Sequence, residues 1–293
     1  MPFSKKQRAV VGCWDLVVRT PEGERPAWLE VRASGHRTLV GQFVGWHGSA
    51  RPVARVDMDD DGRVRFAIPP QWEPGPDDLV VEGRLEGERL VGALTTPDGT
   101  RLDWAGVHAP SLRRPAAPVW GTPIQLFNGV DLEGWRVIQG DATWHVAAGV
   151  LRNVAAGGNL MTDRRFDDFQ LHLEVSYPPG GNSGVYLRGR YEVQVLDSPV
   201  VEPDPHLQGA IYGFLTPNQI VSSGPGEWTT FDITLVGRLV TVRVNGTTVI
   251  SEQIIPGITG GALDSDEGAP GPLMLQGDHG PVEYRNIVLI PAL

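Results

Sequence analysis

The stretch Gly180-Gly-Asn-Ser-Gly-Val-Tyr-Leu-Arg-Gly-Arg-Tyr-Glu-Val-Gln-Val-Leu-Asp197 holds the densest set of groups able to move protons. Glu192 and Asp197 can take or give a proton, Arg188 can hold an anion, and Tyr186 and Gln194 can hydrogen-bond a polar ligand. Read as two strands around Gly189-Arg190, alternation puts Tyr186 and Arg188 on one face of the first strand. It puts Glu192 and Gln194 on one face of the second. Asp197 is out of step by one residue, and a bulge between Gln194 and Asp197 is expected to return it to their side. A polar edge hairpin is the plainer reading. Against it stand the apolar neighbours Val193, Val195 and Leu196, and a preceding loop with three glycines.

Two loops add imidazoles. His206 lies in Pro203-Asp-Pro-His-Leu-Gln-Gly-Ala-Ile-Tyr212, which runs into a strand, and His279 lies in Gly277-Asp-His-Gly after Leu273-Met-Leu-Gln276. Sandwich hydrolases of the laminarinase type carry a Glu-x-Asp-x-x-Glu series with a bulge; here the series reads Glu192, Gln194, Asp197. Three other motifs lead nowhere firm. Asp57-Met-Asp-Asp-Asp-Gly62 imitates a calcium loop, but its twelfth position is Ile68, so a solvated hairpin tip is the better account. Ser183 lacks the Gly-x-Ser-x-Gly frame because Val185 takes the last glycine's place. Asp264-Ser-Asp-Glu-Gly268 has oxygen donors at a spacing that could hold a metal ion in a loop.

The elements that must position these groups are strands. Residues 28–32, 38–46, 63–68 and 79–83 alternate, with Asp61-Gly62, Glu86-Gly87 and Asp98-Gly99 between such runs, where tight turns want positive φ. A small antiparallel barrel or sandwich is expected over residues 1–110. Residues 111–122 form a proline-rich linker, since proline stiffens the chain and lacks an N–H. Residues 123–293 read as a second all-β domain, a concanavalin A-like jelly-roll sandwich. Its clearest passage is Trp228–Ile250, where Gly237-Arg238 and Asn245-Gly246 turn three strands of a meander.

Composition removes several chemistries. The only lysines are Lys5 and Lys6, so a Schiff-base or phosphate-loop lysine is absent from the folded body. Cys13 is the single cysteine, which excludes an intrachain disulfide and a thiolate zinc site. Residues 1–118 carry sixteen basic and sixteen acidic side chains, whereas residues 119–293 carry nine Arg against nineteen Asp and Glu. The second half therefore repels nucleic acid and anionic membranes. No run approaches the roughly eighteen apolar residues of a membrane span. The basic start Met1–Arg8 is not followed by a signal-peptide core, so a cytoplasmic protein is expected, an exported form with its signal removed being the alternative.

From Leu126 onward the chain resembles the 3-keto-disaccharide hydrolase family. The resemblance is carried by Leu126-Phe-Asn-Gly-Val-Asp-Leu-Glu-Gly-Trp135, Trp144–Leu151, Asp168-Phe-Gln-Leu, Asn182-Ser-Gly-Val-Tyr-Leu-Arg188 and Tyr191–Asp197. Gly209-Ala-Ile-Tyr212, Gly226-Glu-Trp228, Asn245-Gly246, Leu275-Gln276 and Tyr284-Arg-Asn-Ile287 complete it, and residues 1–118 lie outside it. The resemblance implies action on glycosides oxidised to a ketone at C3. The ketone acidifies the C2 proton, a base removes it, the C1 substituent leaves by β-elimination, and water adds back. By type and position Glu192, Asp197, His206 and His279 are the acid–base candidates for these steps, and Asn182, Tyr186, Arg188, Gln194, Tyr212 and Gln276 the candidate substrate contacts. Arg188, a glutamine or a bound divalent cation would serve the enolate; no other cofactor is implied. A conventional laminarinase-type hydrolase and a non-catalytic carbohydrate-binding protein are the alternatives. Trp14, Trp28, Trp46, Trp72 and Trp104 are expected to fill the first domain's core, sugar stacking being their other use.

Overall fold

Strand-forming residues separated by Gly-containing turns pair locally, and the computed structural model is accordingly built from antiparallel hairpins. It describes residues 4–36, 38–59, 61–198 and 202–293. Asp60, part of the calcium-like motif in the sequence, lies outside them. Contacts divide the chain into two units: residues 1–111 with 257–267, and residues 112–256 with 268–293. The segment Gly257–Glu267, read from sequence as part of the second domain, thus groups with the first.

The first unit is a closed barrel of eight strands in sequential order: β1 (Gly12–Thr20), β2 (Gly23–Ser34), β3 (Thr38–Val44), β4 (Arg51–Met58), β5 (Arg63–Ile68), β6 (Leu79–Glu86), β7 (Arg89–Thr95) and β8 (Arg101–His108). Closure removes the exposed edges that such strands otherwise present. Alternate residues point inward, so Leu16, Val18, Leu29, Val31, Phe66, Val81 and Leu94 share one core. Each such side chain contributes roughly 1.5–3 kcal/mol on burial. The tryptophans do not all join it. Trp14 and Trp104 are in the core, and Trp28 is buried on the outer wall of β2, where a Cβ on Gly257 would lie 2.1 Å from its indole nitrogen. Trp46 is half-buried, and Trp72 is 71% exposed. Alternation fixes the inward positions, but Trp46 and Trp72 follow strands and belong to loops.

The second unit is a sandwich of two sheets. Its strands are β9 (Ile124–Gln125), β10 (Trp135–Ile138), β11 (Trp144–Ala147), β12 (Val150–Asn153), β13 (Asn159–Thr162), β14 (Phe169–Ser176), β15 (Asn182–Leu187), β16 (Tyr191–Leu196), β17 (Thr229–Val236), β18 (Leu239–Val244), β19 (Thr247–Ile254), β20 (Met274–Leu275) and β21 (Val282–Pro291). One sheet runs β10-β13-β20-β15-β16, and the other β11-β12-β21-β14-β17-β18-β19 with β9 paired to β21. The chain is all-β, a barrel followed by a jelly-roll sandwich. The expected meander is β17-β18-β19, with Asn245 at φ 47° and Gly246 at φ 76° in its second turn. From Leu112 the proline-rich segment lies against this sandwich: Arg114 donates to Asp168 Oδ2 at 2.6 Å and Asp167 Oδ2 at 2.7 Å.

Between the sheets lie Leu171, Leu173, Val185, Val193, Ile233 and Tyr284, all buried. The Tyr284 hydroxyl on β21 meets Ser183 Oγ on β15 at 2.8 Å, so Ser183 faces the interior rather than a ligand. Ser183 Oγ also donates to Gln276 O at 2.8 Å. Among the described residues no helix is long and apolar enough to cross a membrane.

Candidate active site

The register of β15 against β16 decides which side chains share a face. Tyr186 pairs with Glu192, Gly184 with Gln194 and Asn182 with Leu196, without interruption. Across the next strand Met274 pairs with Tyr186, and Gln276 N donates to Gly184 O at 2.9 Å, which continues the same register. Asn182, Gly184, Tyr186, Glu192, Gln194, Met274 and Gln276 therefore stand on the outer face of the five-stranded sheet, opposite the sandwich interior. This is the polar face expected from alternation.

At its centre Glu192 is only 4% exposed. Tyr186 donates its hydroxyl to Glu192 Oε2 at 3.0 Å. With its amide nitrogen turned toward them, Gln194 lies 3.3 Å from Glu192 Oε1 and 3.1 Å from Ser183 O. The carboxyl rests over Gly184, where a Cβ would sit 2.3 Å from Oε1 and 2.8 Å from Cγ. The edge of β16 is covered by the loop that carries Tyr212: Gly209 N donates to Gln194 O, and Tyr212 N to Glu192 O. Burial pushes the Glu192 carboxyl up to about 8; the Tyr186 hydrogen bond and the charge of His279 oppose that rise, and Asp278 adds to it. Tyr212 is raised by burial and then by the Glu192 charge. His279 is raised above 6.5 by its hydrogen bond to Asp278, Nδ1 to Oδ1 2.5 Å, against desolvation. Glu192 acts on it electrostatically as well.

The structure thus gathers Glu192, Tyr186, Gln194, Tyr212 and His279 electrostatically, with Asn182 and Gln276 on the same face. Gln276 Oε1 is buried without a protein partner, an acceptor aimed at that face. His206 stands nearby, its ring 5.2 Å from the Tyr212 ring, with Nδ1 2.6 Å from Asp204 Oδ1.

Two sequence readings need correction. No bulge separates Gln194 from Asp197, because pairing stays in step through Leu196. Asp197 consequently falls on the opposite face, where its Oδ2 accepts from Gly180 N at 2.8 Å and closes the glycine-rich turn. Arg188 does not reach Glu192 either. It occupies the turn itself at φ 52°, followed by Gly189 at φ 66°, a left-handed pair that turns its side chain inward. Fully buried, it donates from Nη1 to Asp167 Oδ1 and from Nη2 to Tyr191 Oη and Gly237 O, each at 3.0 Å. Sequence reasoning missed Gly184 and Asp278. Asp278 was legible as the neighbour of His279, whereas the role of Gly184 depends on cross-strand pairing.

Among the described residues no group of three or more His, Cys, Asp or Glu side chains is placed to hold a metal ion. Asp264, Asp266 and Glu267 therefore do not form the ligand set that their spacing offers.

A model of the 3-keto-alpha-glucoside-1,2-lyase-like domain matches residues 122–290. Comparison with curated proteins gave no match. Among solved structures the chain is similar to three proteins from Parabacteroides distasonis, each described provisionally as a glycosyl hydrolase. The first is 31% identical, with a TM-score of 0.50 over 62% of this chain and 94% of that one. A second is 26% identical, TM-score 0.47, over 59% of this chain and 100% of the other. The third is 20% identical, TM-score 0.49, over 58% and 94%. The matched residues span nearly the whole sandwich, including every side chain gathered around Glu192, and the chain belongs to the family of the 3-keto-alpha-glucoside-1,2-lyase-like domain.

Proposed function

We propose that the sandwich cleaves glycosides carrying a ketone at C3, by removal of the C2 proton, β-elimination of the C1 substituent and readdition of water. The observation that carries this reading is a buried Glu192 carboxyl pushed up to about 8, beside two tyrosine hydroxyls and the His279–Asp278 pair. A carboxyl raised to about 8 is basic enough, once ionised, to take a proton from carbon next to a ketone. His279, whose protonated form the Asp278 carboxylate favours, supplies the donor for the developing C3 enolate. Tyr186 and Tyr212 are the hydroxyls available to protonate the departing C1 oxygen. The Gln276 acceptor and the amides of Asn182 and Gln194 orient the remaining sugar hydroxyls. A conventional retaining hydrolase needs a second carboxylate about 5–5.5 Å from the first. Asp197, the candidate from the laminarinase-like series, faces away.

Incubation with a 3-keto-glucoside and its unoxidised parent tests the reading. Aglycone release from the ketone is expected to be faster by roughly 100-fold or more, because only the ketone makes C2–H removable. Equal or faster turnover of the parent would replace elimination by conventional hydrolysis.

Gly184→Ala tests the seat of the carboxyl. The added Cβ must displace Glu192, so turnover is expected to fall about 10- to 100-fold for a loss of roughly 1–3 kcal/mol in stability. Unchanged turnover would show that the position of Glu192 over Gly184 is not the working one.

A further inference from the structure

The barrel has one plugged end and one open one. At the plugged end helix α1 (Lys5–Val10) buries Val10 in the core, and Trp14 donates Nε1 to Val10 O at 2.9 Å. The His108 ring stacks on Trp14 at 3.7 Å. At the other end all four connections, residues 21–22, 45–50, 69–78 and 96–100, surround a cavity of about 440 Å³. Phe43, Leu79 and Leu102 line it below, and Trp46 and Trp72 at the rim. Its size falls in the range of small-molecule sites, roughly 300–1,000 Å³.

The exposed Trp72 is held rather than loose. Glu73 accepts from Gln71 N at 2.9 Å, from Trp72 N at 3.2 Å and from Arg51 Nη2 at 2.7 Å. Gln71 exchanges two hydrogen bonds with Ser49, at 3.0 and 2.9 Å. Gly48 leaves the space this packing needs, since a Cβ there would lie 2.8 Å from Trp72 Cδ1. A loop stapled this way keeps a large apolar ring in water beside an open cavity, which nothing in the barrel's own packing requires. Charges at the rim balance except one: Arg51 compensates Glu73, Arg25 and Glu22 both line the cavity, and Asp98, which accepts from Thr96 Oγ1 at 2.6 Å and Thr100 N at 3.0 Å, remains a carboxylate acceptor. Planar indole faces beside a rim of hydrogen-bonding groups, the Asp98 carboxylate among them as an acceptor of hydroxyls, suit a neutral polyhydroxylated ring, whose C–H face stacks while its hydroxyls reach the rim.

We propose that the open mouth of the barrel is a second, non-catalytic site that holds a mono- or disaccharide against Trp72 and Trp46. The choice of sugar among neutral ligands rests on the reading of the sandwich; the site itself does not.

The full chain labelled with 5-fluorotryptophan reports on the mouth alone, the Trp72 resonance being the one lost in Trp72→Ala. Titration with glucose, maltose and trehalose is expected to shift that resonance saturably, in Glu192→Gln as in the parent protein. Calorimetric binding of the same sugars is expected to weaken at least 10-fold in Trp72→Ala, whose melting should match the parent's because the ring is exposed. A Trp72 resonance that no sugar moves would overturn the proposal while leaving 3-keto-glycoside cleavage standing. A shift produced only by decanoate or tetramethylammonium would overturn it in favour of an apolar or cationic ligand. A sugar-dependent shift in a protein that cleaves no 3-keto-glucoside would support the mouth and sink the sandwich reading.

Discussion

Replacing Glu192 by Gln is expected to lower turnover of a 3-keto-glucoside by roughly 10³-fold while making the protein harder to unfold at neutral and alkaline pH. Gln keeps the side chain's size and can still accept from Tyr186, but it cannot take a proton from carbon. The stability change follows from linkage. In the folded protein Glu192 binds its proton up to about pH 8, whereas the unfolded side chain loses it near 4.5. Between those values the unfolded state carries fewer protons, so raising the pH favours unfolding. The substitution removes that liability, and its advantage should grow from about pH 4.5 to about pH 8 and then level off. Thermal melting across that window and single-turnover kinetics measure the two effects separately. The pH profile carries a further signature: a base that must first ionise makes kcat/KM rise toward about 8, and this limb should vanish in the variant. A Glu192→Gln protein that is less stable but still active would make the carboxyl a structural member of the sheet.

Arg188→Met is expected to act the other way, costing about 3–5 kcal/mol of sandwich stability with turnover per folded molecule unchanged. The guanidinium is fully buried and spans three elements, the β15–β16 turn, Asp167 before β14, and the Gly237 turn between β17 and β18. Methionine fills part of the volume but leaves Gly237 O and the Tyr191 hydroxyl without their donor. In a unit of this size the loss corresponds to a fall in melting temperature of about 10 °C. Denaturant melts followed alongside turnover distinguish the cases. A stable but inactive Arg188→Met protein would return this residue to the catalytic face.

The contrast between these two residues shows where sequence reasoning stops. Strand periodicity, paired with turn residues such as Asn245-Gly246, was enough for an all-β chain and for the meander β17-β18-β19, because both depend on local preferences. Alternation also placed Glu192 with Gln194, two residues apart on one strand. It could not place Arg188, since a left-handed φ of 52° at the turn breaks the alternation there. Nor could it place Asp197, because a bulge is a property of two paired strands, and the observed register Asn182↔Leu196 contains none. Gly184 is a blank position in the sequence, and only its pairing opposite Gln194, beside Glu192, makes it the seat of the carboxyl. Residue types by themselves determined which acids, bases and amides were on offer and that the second half of the chain is acidic. The tertiary structure decided which of them meet. Strands and loops brought together by folding desolvate Glu192, and this burial, opposed by Tyr186 and His279 and assisted by Asp278, raises it into the range where it can serve as a base.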